Sequence, residues 1–179
     1  MMPRRWCRFL PLLIACCLAM PASAAYRARL PAAQVAAAAQ AIFPLREYSL
    51  AARLLLKSPQ LQLDAEAQRI VLEVPVVASV PGEARRHGRL IVSTGLAYRP
   101  PSGEVFLGLP RLQSLEMEGV SPSQRRVFAA SLLDVLTETL PLVRVLQVTE
   151  HDLNHSLAKS LLKAWRVEDG ALHIEIGFD

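Results

Sequence analysis

RIVLEVPVVASV, residues 69–80, is the stretch that decides the fold. Apolar residues occupy every second position, which is the period of a β-strand with one face in the core. That uninterrupted apolar face consists of Ile70, Leu72, Val74, Val76, Ala78 and Val80. The opposite face is polar at Glu73 and apolar at Val77. Pro75 has no N–H to donate to a neighbouring strand, so it predicts an edge position or a bulge.

The same alternation continues on both sides of this stretch. Residues 50–56 and 61–63 precede it, and residues 89–99 follow it after a Pro81-Gly82 turn. Residues 104–107 and 111–118 predict two further short strands. The connections are too short for parallel crossovers, so they predict an antiparallel meander. Small residues on one face of 89–99, among them Gly95, leave room for close packing.

Helices are predicted before and after these strands. Pro31 opens a short N-terminal helix that runs to Phe43, and Ser121-Pro122 opens a longer amphipathic helix that runs to Leu140. Residues 152–163 predict a second short helix, and Asp169-Gly170 predicts a terminal hairpin. We therefore expect one α+β domain over residues 25–179. In it a curved antiparallel sheet is wrapped around or packed on the long helix, with the short helix at the N-terminus and the hairpin at the C-terminus.

Residues 1–24 have the composition of a secretory signal peptide. Three arginines lie within residues 1–8, a mostly apolar run follows, and Ala22-Ser23-Ala24 fits a cleavage site. Cleavage after Ala24 predicts a periplasmic protein. Leu13-Ile14-Ala15-Cys16 also resembles a lipobox, and lipidation at Cys16 would instead anchor the protein to the envelope membrane. We favour cleavage after Ala24 and keep lipidation at Cys16 as the alternative.

Composition excludes several classes of mature protein. All three cysteines lie at or before Cys17, so cleavage after Ala24 removes every thiol and every disulfide. The formal charge of +4 includes three leader arginines, which leaves +4 − 3 = +1 for the mature chain. No long basic stripe is present, so we expect no nucleic-acid partner. The sequence contains neither a Gly-rich phosphate loop nor a G-x-S-x-G elbow, and we expect no cofactor and no enzymatic activity.

His151-Asp152-Leu153-Asn154-His155 is the segment most similar to a catalytic motif. Two histidines four residues apart lie on one face of a helix, as in zinc-dependent hydrolases of the H-E-x-x-H type. Asp152 has the alternative role of closing a capping box with Thr149 at the start of a helix. The helix-start interpretation requires no third metal ligand, and the zinc hydrolase is kept as the less favoured alternative.

Apolar residues exceed what a one-sided sheet needs, because Leu55, Val71 and Val77 lie on the second face of their strands. One explanation is an apolar groove between helix and sheet that binds a lipid or another hydrophobic molecule, in a protein that could also associate with a membrane. The alternative is an envelope interaction module with a closed core and no small ligand. The candidate groove residues are Phe128, Leu132, Val135, Leu136, Ile70, Leu72, Val74, Val92 and Leu96.

Short landmarks along most of the mature chain resemble the YceB-like envelope lipoproteins, a family of unknown function. The landmarks are Phe43-Pro44-Leu45, Ser58-Pro59 with Leu61 and Leu63, residues 69–72, Gly88-Arg89-Leu90, Tyr98-Arg99-Pro100 with residues 105–107, Leu140-Pro141-Leu142 and residues 167–170. The resemblance implies a fold similar to the tubular lipid-binding (TULIP-like) proteins and a hydrophobic ligand. It implies no catalytic residues.

Overall fold

The computed structural model describes residues 25–48, 52–153 and 157–178. Its strands are β1 (Tyr26–Pro31), β2 (Leu45–Tyr48), β3 (Arg53–Leu56), β4 (Gln60–Asp64), β5 (Arg69–Ser79), β6 (Arg86–Thr94), β7 (Leu96–Arg99), β8 (Glu104–Leu107), β9 (Arg111–Met117), β10 (Arg144–Gln147), β11 (Leu161–Glu168) and β12 (Ala171–Gly177). Its helices are α1 (Ala32–Gln40), α2 (Pro122–Thr139) and α3 (Glu150–Leu153), with single 3-10 turns at Leu140–Leu142 and Leu157–Lys159.

The strands of the described residues form three antiparallel sheets. The largest has the order β2-β3-β5-β6-β9, and β4 pairs with the first half of β5. The second has the order β10-β8-β7 and the third β1-β12-β11. Helix α2 contacts β9 and β2, which lie at opposite ends of the largest sheet, so it crosses one face of that sheet. One hydrophobic core joins the elements.

The predicted α+β architecture, with one curved sheet wrapped around or packed on a long helix, is wrong. Strands make up 49% of the described residues and helices 25%, and the strands are divided among three sheets with one long helix. The alternating pattern identified most strands correctly but carried no information on their partners. Residues 26–31 were not predicted as a strand, yet β1 pairs with β12 along its whole length.

Gly95 separates two of the sheets. Residues 89–99 were predicted as one strand, but β6 ends at Thr94 and β7 begins at Leu96 in another sheet. The indole of Trp165 packs here, and a Cβ on Gly95 would lie 3.1 Å from its Cζ2 atom. The Thr94 hydroxyl donates to the carbonyl of Gly108 at 2.8 Å, and the Gly108 N–H donates to the carbonyl of Gly95 at 2.9 Å. Gly95 therefore permits the chain to pass from one sheet to another, a change that the alternating pattern of residues 89–99 did not predict.

Pro75 is in a central strand, so the predicted edge position is wrong, whereas the register shifts by one residue here, between the pairs Leu56–Val76 and Gln60–Glu73, as the predicted alternative of a bulge requires. β5 pairs with β6 on one side and with β3 and β4 on the other. The N–H of Lys57, between β3 and β4, donates to the carbonyl of Pro75 at 2.8 Å. The N and O atoms of one strand residue point to the same neighbour. The proline nitrogen therefore faces the interruption between β3 and β4, outside the regular pairing that these two strands form with β5.

The end of the chain combines a correct and an incorrect prediction. β11 and β12 form the predicted hairpin, and Asp169 and Gly170 at its turn both have positive φ, 49° and 67°. The predicted helix over residues 152–163 is wrong. Among the described residues, α3 covers Glu150–Leu153, a 3-10 turn covers Leu157–Lys159, and β11 has begun by Leu161. The Ser160 hydroxyl donates a hydrogen bond to the Leu157 carbonyl at 2.6 Å and accepts one from the Tyr98 hydroxyl at 2.6 Å.

Gln68 connects the turn before β5 to β11. Its side-chain oxygen accepts from the N–H of Val167 at 2.9 Å, and its side-chain nitrogen donates to the Val167 carbonyl at 3.1 Å. Gln68 has φ 49°, a conformation that asparagine tolerates. We expect Gln68→Asn, whose side chain is one methylene too short, to lower the free energy of unfolding by about 1–2 kcal/mol in chemical denaturation. An equal loss in the control Gln62→Asn, at an exposed position on β4, would contradict this role.

Candidate functional site

The predicted groove residues form part of the closed core. Leu132, Leu136, Ile70, Leu72, Val74 and Val92 are 0% exposed, and Phe128 is 6% exposed. Leu96 is half-buried and packs against this core, and Val135 is half-buried. The structure therefore brings most of these side chains together, but against one another. A ligand between α2 and the sheet would have to displace core side chains.

Three cavities lie at the surface of the described residues, and none of the predicted groove residues lines them. A cavity of about 560 Å³ lies beside β6, β9 and the first turn of α2. One of about 290 Å³ lies on the sheet formed by β1, β12 and β11. The third, of about 340 Å³, lies on β2, β3 and β5.

The third cavity combines cationic and apolar groups, and we call it the arginine cavity. Strand register explains its composition, because Tyr48 is opposite Arg53, and Leu55 is opposite both Arg46 and Val77. These residues share the face of the sheet that points away from the buried face of β5. The cavity is lined by Arg46, Tyr48, Arg53, Leu54, Leu55, Val77, Ser79 and Arg85.

The floor of the arginine cavity is apolar. Val77 is 8% exposed and Leu55 is half-buried, although both lie on the outer face of the sheet. They account for part of the second apolar face seen in the sequence. The Ser79 hydroxyl contributes a neutral polar group beside them, and Tyr48 is an exposed aromatic side chain on the rim.

The charges around this floor are positive and uncompensated. Within the described ranges, none of Arg46, Arg53 and Arg85 forms an ion pair with a carboxylate. The guanidinium carbon of Arg53 lies 6.0 Å from the centroid of the Tyr48 ring. Residues 49–51, which connect β2 and β3, are Ser, Leu and Ala, so they add no acidic group. An anion entering the cavity would meet three cations that have no competing carboxylate partner.

Arg89, on the same face of the sheet, shows the contrasting arrangement. It donates to Glu116 at 2.8 Å and to Glu73 at 3.3 Å. The hydrogen bond to Glu116, followed by that to Glu73, raises the pKa of Arg89 above its usual value. Its charge is already compensated by protein. The arginine cavity therefore differs from its surroundings in the partners of its arginines, and not simply in their number.

Sequence reasoning did not identify the arginines of this cavity. Arg46, Arg53 and Arg85 come from three separate segments, and their common location depends on the pairing of β2, β3 and β5. The available signal was the pair Leu55 and Val77, which are apolar on the face opposite the core. Arg53 alternates with Leu55 along β3. This combination of a charged and an apolar residue on the outer face of one strand could have indicated a binding surface from the sequence.

The zinc motif is not assembled in the part of the chain that the structure describes. His151 is exposed on the four-residue helix α3, and His155 lies outside the described residues. No group of three potential metal ligands occurs within residues 25–48, 52–153 and 157–178. The Asp152 carboxylate accepts from the hydroxyl of Thr149 at 2.7 Å and from its N–H at 2.8 Å. These bonds, the hydroxyl first, lower the pKa of Asp152 and support its role at the helix start.

Cys16 and Ala24, on which the choice between anchored and free protein depends, lie outside the described residues. Among the helices that are described, none has the length and apolar character needed to cross a membrane. No protein-family model matches the chain, and no curated protein is significantly similar to it in sequence.

Proposed function

We propose that this chain is a non-enzymatic binding protein of the cell envelope that holds an anionic amphiphile in the arginine cavity. The observation that carries the proposal is the placement of Arg46, Arg53 and Arg85, none of which is paired with a carboxylate of the described residues, around a floor of Leu55 and Val77. The composition of residues 1–24 supports export. The resemblance to YceB-like proteins implies a hydrophobic ligand and agrees with this chemistry.

Both halves of an amphiphile have a complementary surface in the cavity. A volume of about 340 Å³ accommodates a head group and the first part of a chain. Burial of apolar ligand surface on Leu55 and Val77 contributes about 0.8 kcal/mol for each methylene that leaves water. A hydrogen bond between a guanidinium and an anionic head group contributes roughly 1.5–3 kcal/mol. The site lies on the outside of the sheet, so the core need not open.

We expect Arg53→Glu to weaken binding of a fluorescent fatty acid by about tenfold or more, because it replaces a charge-assisted hydrogen bond with repulsion. The dissociation constant is measured by fluorescence titration of the mature protein. Arg166→Glu is the matched control, since Arg166 is also exposed and without an ion pair in the described residues but lies on β11. Equal affinities for Arg53→Glu, Arg166→Glu and the unaltered protein would refute the proposal.

The second candidate is an envelope interaction module without a small ligand. The closed packing of Leu132 and Val74 favours it over a ligand between helix and sheet. It predicts that the purified protein carries no lipid in mass spectrometry after solvent extraction and binds no fluorescent fatty acid. A saturable fatty-acid titration that is sensitive to Arg53→Glu would exclude it in favour of the amphiphile site.

A further inference from the structure

We infer that the head group held by the arginine cavity is a phosphate monoester rather than a carboxylate. The inference rests on the proposed amphiphile site and specifies its ligand. Two observations lead to it: the positions of the three arginines relative to one another, and the number of positive charges that the protein leaves uncompensated.

Arg46 and Arg53 are placed to bind one group together. Arg46 is opposite Leu55, and Arg53 is two residues from Leu55 on β3, so the two arginines are diagonal neighbours on the same face. Such neighbours lie about 7–8 Å apart in an antiparallel pair, and two long side chains reach a common point from that distance. Arg85 directly precedes β6, which pairs with β5 on the side of β5 that is opposite β3, and it lines the same cavity. The three arginines therefore line one cavity from three different segments of the sheet.

The donor count favours a group with more than two acceptor oxygens. Each guanidinium has five N–H donors in a planar fork, and a carboxylate presents only two oxygens, both of which one bidentate arginine can contact. A phosphate monoester offers three terminal oxygens, enough for Arg46, Arg53 and Arg85 to bind one each. The hydroxyls of Ser79 and Tyr48, which line the same cavity, are additional donors.

The positive charge of the arginine cavity also favours a phosphate monoester over a carboxylate. The three arginines supply +3, since no carboxylate of the described residues is paired with them. A carboxylate would leave +2, whereas a phosphate monoester carries about −1.5 to −2 at pH 7 and leaves about +1. Like charges that remain close together on one face of a sheet are destabilising. A dianion therefore compensates more of the positive charge of the cavity than a carboxylate does.

The test compares ligands with the same dodecyl chain on the mature protein, by isothermal titration below their micelle concentrations. We expect dodecyl phosphate to bind about tenfold or more tightly than dodecanoate and than methyl dodecyl phosphate, a diester that keeps a single charge. The second pKa of a phosphate monoester is about 6, so lowering the pH from 7.5 to 5.5 removes the second negative charge. Affinity for the monoester should then fall towards that of the diester, whose affinity should change little.

Arg85→Gln tests the assignment from the side of the protein. We expect it to weaken the binding of dodecyl phosphate by about tenfold and that of dodecanoate by less than about threefold, because a monoanion with two oxygens gains less from a third arginine than a dianion with three. Arg166→Gln is the matched control and should change neither affinity. Arg85 is exposed, so a shift in thermal unfolding beyond that of Arg166→Gln is not expected.

The outcomes separate the head-group inference from the proposed function. Equal affinities for dodecyl phosphate and dodecanoate would overturn the phosphate inference and leave the amphiphile site standing. Absence of binding for both ligands would overturn both. Inorganic phosphate that binds as tightly as dodecyl phosphate would support the head-group inference and show that the source is a free phosphate, which removes the apolar part of the proposed function.

Discussion

Leu132→Ala is expected to lower the free energy of unfolding by about 3–5 kcal/mol, as found when a fully enclosed leucine is truncated. Leu132 lies on α2 and is 0% exposed within the single hydrophobic core. The loss has two parts, the transfer of the removed methyl groups and the cavity that remains. Urea denaturation with an unchanged slope measures it, because an unchanged slope indicates that the unfolded state is the same.

The control for this experiment lies on the same helix. Val127 is 60% exposed, and Val127→Ala should change the free energy of unfolding by less than about 0.5 kcal/mol. A loss of less than about 1 kcal/mol in Leu132→Ala would instead indicate that the residue faces a space already accessible to solvent or ligand. Such a result would favour a ligand groove between α2 and the sheet over the arginine cavity.

Periodicity predicted those parts of the fold in which local sequence and final environment agree. The alternation at Ile70, Leu72 and Val74 marks the face that is buried in β5, and Ser121 forms the capping box at the start of α2 with Gln124. In both cases the signal lies within a few residues of the element it specifies. The local sequence was therefore sufficient to predict these two elements.

The pairing partner of a strand could not be predicted from local sequence in the same way. Nothing in residues 26–31 indicates pairing with β12, more than 140 residues later, because the energy of a strand pair depends on the whole register. The arginine cavity has the same origin. Arg46, Arg53 and Arg85 look like isolated surface charges in the sequence, and they become a set only after three strands are aligned.

Gly103→Ala is the second substitution with a large expected effect, a loss of about 2–5 kcal/mol in the free energy of unfolding. Gly103 lies in the turn between β7 and β8 with φ +68°, which costs a residue with a Cβ roughly 1–2 kcal/mol. A Cβ here would also overlap the carbonyl oxygen of Val148. That carbonyl cannot rotate away freely, because the N–H of Val148 donates to the carbonyl of Gly103 at 2.8 Å.

Gly82→Ala separates the two contributions in Gly103→Ala. Gly82 has φ +80° and no atom within 4 Å of the position that a Cβ would occupy, so it reports the conformational cost alone. We expect Gly82→Ala to lose about 1–2 kcal/mol and Gly103→Ala to lose more by the cost of overpacking, about 1–3 kcal/mol. Equal losses would show that the Val148 backbone can move away from the new Cβ without lowering the free energy of unfolding. The contact between the β7–β8 turn and the strand β10 would then be looser than the structure places it.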